Sequence, residues 1–179
     1  MVYIVLGRGF EEMEAVVPCD LLRRAGVETR FVGIGGKLIC GSRGICVQAD
    51  CTEEEAQWDQ AEMIVLPGGL GGVESIRNCP TVMDAVRRCY NRADYVAAIC
   101  AAPTILAELG ITEGRCACCY PGMEEEMGTA CMKNEDCVVD GMVITGRAAG
   151  GAFEFGLTLV SALRGLTVAE KIAAEVVYS

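Results

Sequence analysis

Short apolar runs alternate with amphipathic segments along most of this chain, and no other feature constrains its fold as strongly. A short apolar run is typical of a buried strand, whereas apolar residues spaced three and four apart indicate a helix. The strand-like runs cover Val2 to Leu6, Thr29 to Ile34, Ala61 to Leu66 and a run that ends at Ile99. The helical patterns cover residues 11–25, 80–91, 104–109, 152–163 and 168–176. The alternation predicts a doubly wound α/β fold with a mostly parallel central sheet.

Two segments depart from this rhythm and predict antiparallel hairpins. Leu38 to Asp50 reads as two short strands joined by a turn at residues 41–44. Farther along, Asp140 and Gly141 separate two short apolar runs, and an Asp-Gly pair in that position is a strong hairpin signal.

Size and charge limit the classes of function. The 179 residues fit one domain, residues 1–179, and carry a formal net charge of −10, which repels nucleic acids and anionic membranes. Mean hydropathy is +0.34, yet no apolar run is long enough for a membrane span, and the N-terminus lacks the features of a secretory signal. We therefore expect a cytoplasmic protein that binds neither nucleic acid nor membrane.

The chain contains 12 cysteines and no histidine. Without an export signal, the cysteines are interpreted mainly as reduced packing residues. Thiolate metal ligation is the alternative for Cys116, Cys118 and Cys119, with Cys131 and Cys137 following, but a zinc ribbon needs two separated C-x-x-C turns and one occurs here. We expect no metal site. The absence of histidine excludes Ser-His-Asp and Cys-His catalysis.

Cys100 occupies the most conspicuous chemical position. It follows the apolar run that ends at Ile99, and Pro103 lies where a helix would begin, so Cys100 falls in a tight strand-to-helix turn flanked by small alanines. This pattern predicts a nucleophile elbow that carries sulfur. Because helix amides stabilise negative charge, we expect the pKa of Cys100 to be depressed. The alternative is that Cys100 is a small buried hydrophobic residue.

A glycine-rich loop, Pro67-Gly68-Gly69-Leu70-Gly71-Gly72, follows the predicted strand that ends at Leu66. It matches neither of the common phosphate-binding glycine patterns, so no nucleotide or other cofactor is expected. We interpret its glycines as allowing the backbone to approach Cys100, with the amide of Gly69 free to bind an oxyanion.

Four segments together resemble the ThiJ/PfpI superfamily, in the branch of the parkinsonism-associated protein DJ-1. They are Gly9-Phe10-Glu11-Glu12-Met13-Glu14, Leu66-Pro67-Gly68-Gly69, the segment from Ala97 to Thr104, and Phe153-Glu154-Phe155. The resemblance runs nearly end to end. It implies a flavodoxin-like three-layer α/β sandwich, a homodimer and a stress-response role.

The resemblance also implies roles for individual residues. Cys100 would be the reactive cysteine, Glu14 the acid beside it, and the amides of Gly69 and Ala101 the oxyanion donors. Arg43 matches an arginine that reaches the partner's site across the dimer interface. From the residues alone, Glu11 and Glu12 compete with Glu14, and Glu14 could instead be an ordinary acid in the first turn of a helix.

Two departures from the family pattern affect the expected activity. Ala102 replaces a glycine and keeps the position small, whereas Tyr120 replaces the family's histidine before Pro121. Two hypotheses follow. The first is an enzyme of low activity on reactive 2-oxoaldehydes, a glyoxalase or deglycase, in which Glu14 carries the proton and its pKa is raised. The second is a redox sensor or chaperone in which Cys100 is oxidised to sulfinate.

Overall fold

The computed structural model describes residues 1–178 as strands and helices in alternation. The strands are β1 (Val2–Leu6), β2 (Thr29–Gly33), β3 (Leu38–Cys40), β4 (Cys46–Gln48), β5 (Cys51–Thr52), β6 (Met63–Leu66), β7 (Tyr95–Ile99), β8 (Cys116–Ala117), β9 (Cys131–Met132), β10 (Cys137–Asp140) and β11 (Val143–Gly146). The helices are α1 (Glu12–Arg24), α2 (Leu70–Arg77), α3 (Pro80–Asn91), α4 (Pro103–Glu108), α5 (Ala152–Arg164) and α6 (Leu166–Glu175).

The main sheet has seven strands in the order β10-β11-β7-β6-β1-β2-β5. Every neighbouring pair in it is parallel except β10 and β11, which form the antiparallel hairpin expected around Asp140 and Gly141. Ile4 on β1 is in register with Phe31 on β2 and Val65 on β6. The predicted α/β class with a mostly parallel sheet is confirmed.

Helices cover both faces of this sheet and produce two apolar cores. On β1, Ile4 belongs to one core, whereas Tyr3 and Val5 belong to the other, because successive side chains of a strand point to opposite faces. The first core includes residues of α1, α5 and α6, and the second includes residues of α2, α3 and α4. Strands covered on both faces explain the nearly continuous apolar runs in the sequence.

The helix α2 was not expected, because its first turn lies in the glycine-rich loop. Glycine is a poor helix former, so Gly71 and Gly72 argue against a helix there. The structure gives Gly72 a packing role, since a Cβ atom at this position would lie 2.8 Å from the Cα atom of Phe10. Close packing against the loop before α1 therefore requires glycine inside this helix.

The hairpin of β3 and β4 is confirmed, but it contains a disulfide between Cys40 and Cys46. The interpretation of the cysteines as reduced is wrong for these two residues. They are register partners on the antiparallel strands, so the turn brings their side chains together. The other ten cysteines have free thiols.

Candidate active site

Cys100 lies in the turn between β7 and α4 and has a φ angle of +67°. A left-handed conformation is costly for a residue with a side chain, so the surrounding structure must hold it. The amide of Cys100 donates to the carbonyl of Gly146 at 2.9 Å, and its own carbonyl accepts from the amide of Tyr120 at 2.7 Å. These two bonds fix the backbone while the side chain remains partly accessible.

Glu14 lies in the first turn of α1 and is completely buried. Its Oε2 atom accepts a hydrogen bond from the amide of Gly68 at 2.7 Å. Its Oε1 atom is buried and has no hydrogen-bond partner. A buried carboxyl oxygen without a partner is costly, which makes Glu14 a candidate for proton transfer rather than for structural support.

Glu14 and Cys100 approach each other across Gly68. A Cβ atom added to Gly68 would lie 2.6 Å from Oε2 of Glu14 and 2.7 Å from the Cβ atom of Cys100. The absence of a side chain at Gly68 therefore allows the acid and the thiol to share one space. The interpretation that the glycine-rich loop permits close approach to Cys100 agrees with this geometry.

Burial governs the ionisation of both groups. It raises the pKa of Glu14 to about 7, against smaller opposing effects of the Gly68 amide and the Cys100 thiol. Burial, followed by the negative charge of Glu14, raises the pKa of Cys100 to about 12. The expected rise for Glu14 is confirmed. The expected depression for Cys100 is wrong, because the lost hydration of the thiolate outweighs the stabilisation by nearby amides.

The amides of Ala101 and Gly69 are the two groups that favour negative charge on the sulfur, since both act to lower the pKa of Cys100. Gly69 precedes α2 and has a φ angle of +83°, and a Cβ atom there would collide with the carbonyl oxygen of Gly9. The sequence therefore needs glycine at this position. The structure brings both predicted amide donors to the sulfur of Cys100.

All six site residues predicted from the sequence line one cavity of about 850 Å³. Its wall includes Cys100, Glu14, Gly69 and Ala101, together with two residues that have longer side chains. These are Arg43, from the turn of the β3–β4 hairpin, and Tyr120, which is 48% exposed. The cavity thus combines a thiol, a buried acid, two amides, a cation and a phenol.

The three neighbouring acids at the start of α1 have different roles, which the sequence left open. Glu11 caps the helix and accepts from the amide of Glu14 at 2.9 Å. Glu12 points to the hairpin turn and accepts from the amide of Arg43 at 2.7 Å and the hydroxyl of Ser42 at 3.2 Å. Burial disfavours the charge on Glu12, but these donors outweigh it and lower its pKa. Only Glu14 faces Cys100.

Glu12 is a structural residue of the site that the sequence did not reveal. It holds the turn carrying Arg43, and a Cβ atom at Gly41 would lie 2.5 Å from its carboxyl group. The tight fit explains a glycine at the start of that turn. No local pattern distinguishes this acid from its neighbours, because its partners lie about 30 residues farther along the chain.

Residues 1–178 contain neither a cluster of metal-ligating side chains nor a helix that could span a membrane. Within that range, no group of three or more acidic or cysteine side chains is placed to hold a metal ion. Over the same residues, every helix is too short or too polar to cross a bilayer.

Comparison with known proteins gives consistent likenesses over nearly the whole chain. A model of the DJ-1/PfpI family matches residues 1–162. The Parkinson disease protein 7 homolog of Danio rerio is 37% identical over 180 residues, which cover 97% of this chain and 95% of the relative. The glutathione-independent glyoxalase DJR-1.2 of Caenorhabditis elegans is 29% identical over 157 residues, covering 87% and 83%. The crystal structure of Drosophila melanogaster DJ-1beta has a TM-score of 0.95 at 32% identity, covering 99% of this chain and 97% of that one.

Proposed function

The chain belongs to the DJ-1/PfpI family, and from this premise we propose that it converts small 2-oxoaldehydes into 2-hydroxy acids, with Cys100 as nucleophile and Glu14 as proton carrier. One relative is named a glutathione-independent glyoxalase, a name that fits a reaction in which a protein thiol does the work.

The observation that carries this proposal is the meeting of Glu14 and Cys100 at Gly68. The carboxyl group is buried beside the thiol, and its Oε1 atom has no partner. A pKa of about 7 lets Glu14 both accept and donate a proton near neutral pH, as a general acid-base catalyst must. A purely structural acid would have both oxygens satisfied, as the several donors to Glu12 illustrate.

The first step forms a hemithioacetal. The thiol of Cys100 is neutral near pH 7, so the Glu14 carboxylate takes its proton as the sulfur attacks the aldehyde carbon. The aldehyde oxygen becomes an alkoxide, which the amides of Gly69 and Ala101 stabilise, and it then receives the proton from Glu14. The S–H bond and the π bond of the aldehyde carbonyl group are broken, and an S–C bond and an O–H bond are formed.

The second step moves hydrogen between the two carbons. The Glu14 carboxylate removes the proton from the former aldehyde carbon, giving an enediolate, and returns it to the adjacent carbon. The hydroxyl proton moves to the second oxygen, which leaves a 2-hydroxy thioester on Cys100. Water then hydrolyses this thioester and restores the thiol. The net change for methylglyoxal is the addition of one water to give lactic acid.

Turnover by this route is expected to be low. The family's histidine would provide a second group for moving protons, and Tyr120 occupies its position at the cavity wall. A phenol hydroxyl can donate and accept a hydrogen bond, but it is a poorer proton carrier than an imidazole. Glu14 must then serve every proton transfer, and loss of a general acid-base group typically costs roughly 100-fold or more in rate.

The deciding experiment measures lactate formed from methylglyoxal by wild type, Cys100→Ser and Glu14→Gln. Both variants should lose activity, while Cys131→Ser, which removes an exposed thiol outside the cavity, should retain it. This control excludes general thiol chemistry as the source of lactate. Undiminished lactate formation by Glu14→Gln would show that Glu14 is not the proton carrier.

A redox sensor is the second candidate, and the unpaired Oε1 atom of Glu14 also favours it. The pKa of Glu14 is about 7, so below that pH its carboxyl group is protonated and can donate a hydrogen bond to an oxygen of a Cys100 sulfinate. Mass spectrometry after peroxide treatment would detect two added oxygens on Cys100. Sulfinate formation without any lactate production would favour the sensor over the enzyme.

We also propose a homodimer formed through the β3–β4 hairpin. Leu38 and Ile45 on this hairpin are 66% and 60% exposed, and Met13 on α1 is 52% exposed. Ile45, Met13 and Arg43 all line the cavity, so an apolar contact through the two exposed side chains would place the arginine beside a second subunit. Light scattering at micromolar concentration tests the dimer directly.

A further inference from the structure

Five cysteines between residues 116 and 137 take no part in the proposed chemistry, and the structure divides them into two groups. Cys118 and Cys119 are buried, and the Cys118 thiol donates to the carbonyl of Thr145 at 3.1 Å. Burial raises the pKa of Cys118, and raises those of Cys119 and Cys137 to about 11 and about 12. The thiols of Cys118 and Cys119 are therefore protected, and Cys137, which is half-buried, has Gly146 rather than a cysteine as its register partner. Cys131 is exposed and Cys116 is half-buried.

Cys116 and Cys131 are register partners on the parallel strands β8 and β9. The amide of Cys131 donates to the carbonyl of Arg115 at 2.7 Å, and the amide of Lys133 donates to the carbonyl of Ala117 at 2.8 Å. Neighbouring strands lie roughly 4.8 Å apart, which falls within the Cα separation of about 4.4–6.8 Å that a disulfide needs. Register partners also project to the same face of a sheet, so the two thiols can meet without unfolding of the strands.

The same region is anchored to the main sheet. The amide of Cys116 donates to Oδ2 of Asp140 at 2.8 Å, and the guanidinium of Arg115 contacts Oδ1 of the same residue at 3.1 Å. Arg115 also donates to the hydroxyl of Tyr90 at 2.8 Å. These bonds hold β8, which carries Cys116, beside the main sheet.

Lys133 lies beside this pair. Its pKa is raised, mainly by the Cys131 thiol and then by Cys116, so both sulfurs lie within reach of its positive charge. An ammonium group beside a sulfur stabilises the negative charge that develops while the sulfur attacks an oxidant.

The hairpin of β3 and β4 provides a precedent within the same molecule. Cys40 and Cys46 are register partners there and are joined by a disulfide, whereas Cys116 and Cys131 are register partners with free thiols. The chain therefore carries two pairs of cysteines on facing strands, one closed and one open.

We propose that Cys116 and Cys131 form a second redox site, independent of Cys100, which closes to a disulfide when a hydroperoxide oxidises it. The Cys131 sulfur attacks one peroxide oxygen and the O–O bond breaks, which gives a sulfenic acid, while the thiol proton goes to the oxygen that leaves as an alcohol or water. The Cys116 thiol then attacks the sulfenic sulfur, loses its proton and displaces water. Two thiols lose two electrons and two protons, and the peroxide bond is reduced.

The experiment uses the Cys100→Ser protein, so its outcome does not depend on the proposed catalytic function. The protein is treated with stoichiometric hydrogen peroxide, its remaining thiols are alkylated, and it is cleaved after glutamate without reduction. Glu124, Glu125 and Glu126 lie between the two cysteines, so the disulfide joins two separate peptides. The expected product is the peptide containing Cys116 linked to the peptide containing Cys131.

Single substitutions assign the bond. Cys116→Ser and Cys131→Ser should each abolish the cross-link, whereas Cys119→Ser, a matched change of a buried thiol, should leave it. The Lys133→Gln substitution leaves every cysteine of the region in place. It should slow formation of the cross-link severalfold without changing which two cysteines are joined. Absence of the cross-link, or a bond that joins Cys116 or Cys131 to a different cysteine, would overturn the proposal, whereas the Cys40–Cys46 disulfide is expected in every sample.

Discussion

Replacing Glu14 by glutamine should change how the stability of the protein depends on pH. Glutamine has nearly the shape of the protonated acid, and its carbonyl oxygen can still accept the hydrogen bond from the Gly68 amide. The variant therefore mimics the neutral form of Glu14 at every pH. Any difference between the two proteins that varies with pH reports the ionisation of this carboxyl group.

The magnitude follows from the pKa. Burial raises the pKa of Glu14 from 4.5 to about 7, so between these values the folded protein binds a proton that the unfolded chain releases. The stabilisation by this proton is complete below pH 4.5, the pKa of the carboxyl group in the unfolded chain, and it is lost as pH rises through about 7, its pKa in the folded protein. A rise of this size corresponds to roughly 3 kcal/mol of unfolding free energy.

The assay is urea unfolding of wild type and Glu14→Gln at several pH values from about 5 to about 8.5. Relative to the variant, wild type should lose ~2–3 kcal/mol across this range, because the other ionisable groups cancel in the difference. The same loss should persist in a Cys100→Ser background, since burial is the largest cause of the raised pKa.

Glu12→Gln is the matched control, because Glu12 is also buried in the first turn of α1 but has a lowered pKa. Its carboxylate stays ionised in both states above about pH 5, so its stability difference should be flat over the same range. A flat curve for Glu14→Gln as well, or one in which wild type gains stability with rising pH, would refute the assignment of a raised pKa to Glu14.

Three further outcomes are expected. Gly68→Ala should lower lactate formation roughly 100-fold, because the new methyl group separates the acid from the thiol. Gly151→Ala is the control and should leave lactate formation unchanged, since a Cβ atom there makes only ordinary van der Waals contacts. Steady-state kinetics with methylglyoxal measure both effects. Tyr120→His should raise kcat about tenfold or more by supplying a second proton carrier, while Tyr120→Phe should leave kcat nearly unchanged. Ile45→Glu should convert a dimer into a monomer in light scattering, and a monomeric wild type would contradict the proposed interface.

The periodicity of apolar residues was sufficient to predict the fold class and most elements. β1 and β7 are covered by helices on both faces, so their apolar runs are visible without knowledge of their neighbours. The strand-to-helix turn at Cys100 is equally local, because Ile99 ends a strand and Pro103 begins a helix. The helix α2 escaped prediction because its glycines serve a contact with Phe10 rather than the helix itself.

What the sequence determined by itself is therefore the order of the elements, the place of Cys100 and the group of acids near it. Tertiary structure decided the rest. It selected Glu14 over Glu11 and Glu12, made the thiol of Cys100 a weaker acid than its turn suggested, and paired Cys40 with Cys46. The physical reason is that strand and helix patterns arise from neighbours in the chain, whereas desolvation and side-chain pairing depend on distant segments brought together by folding.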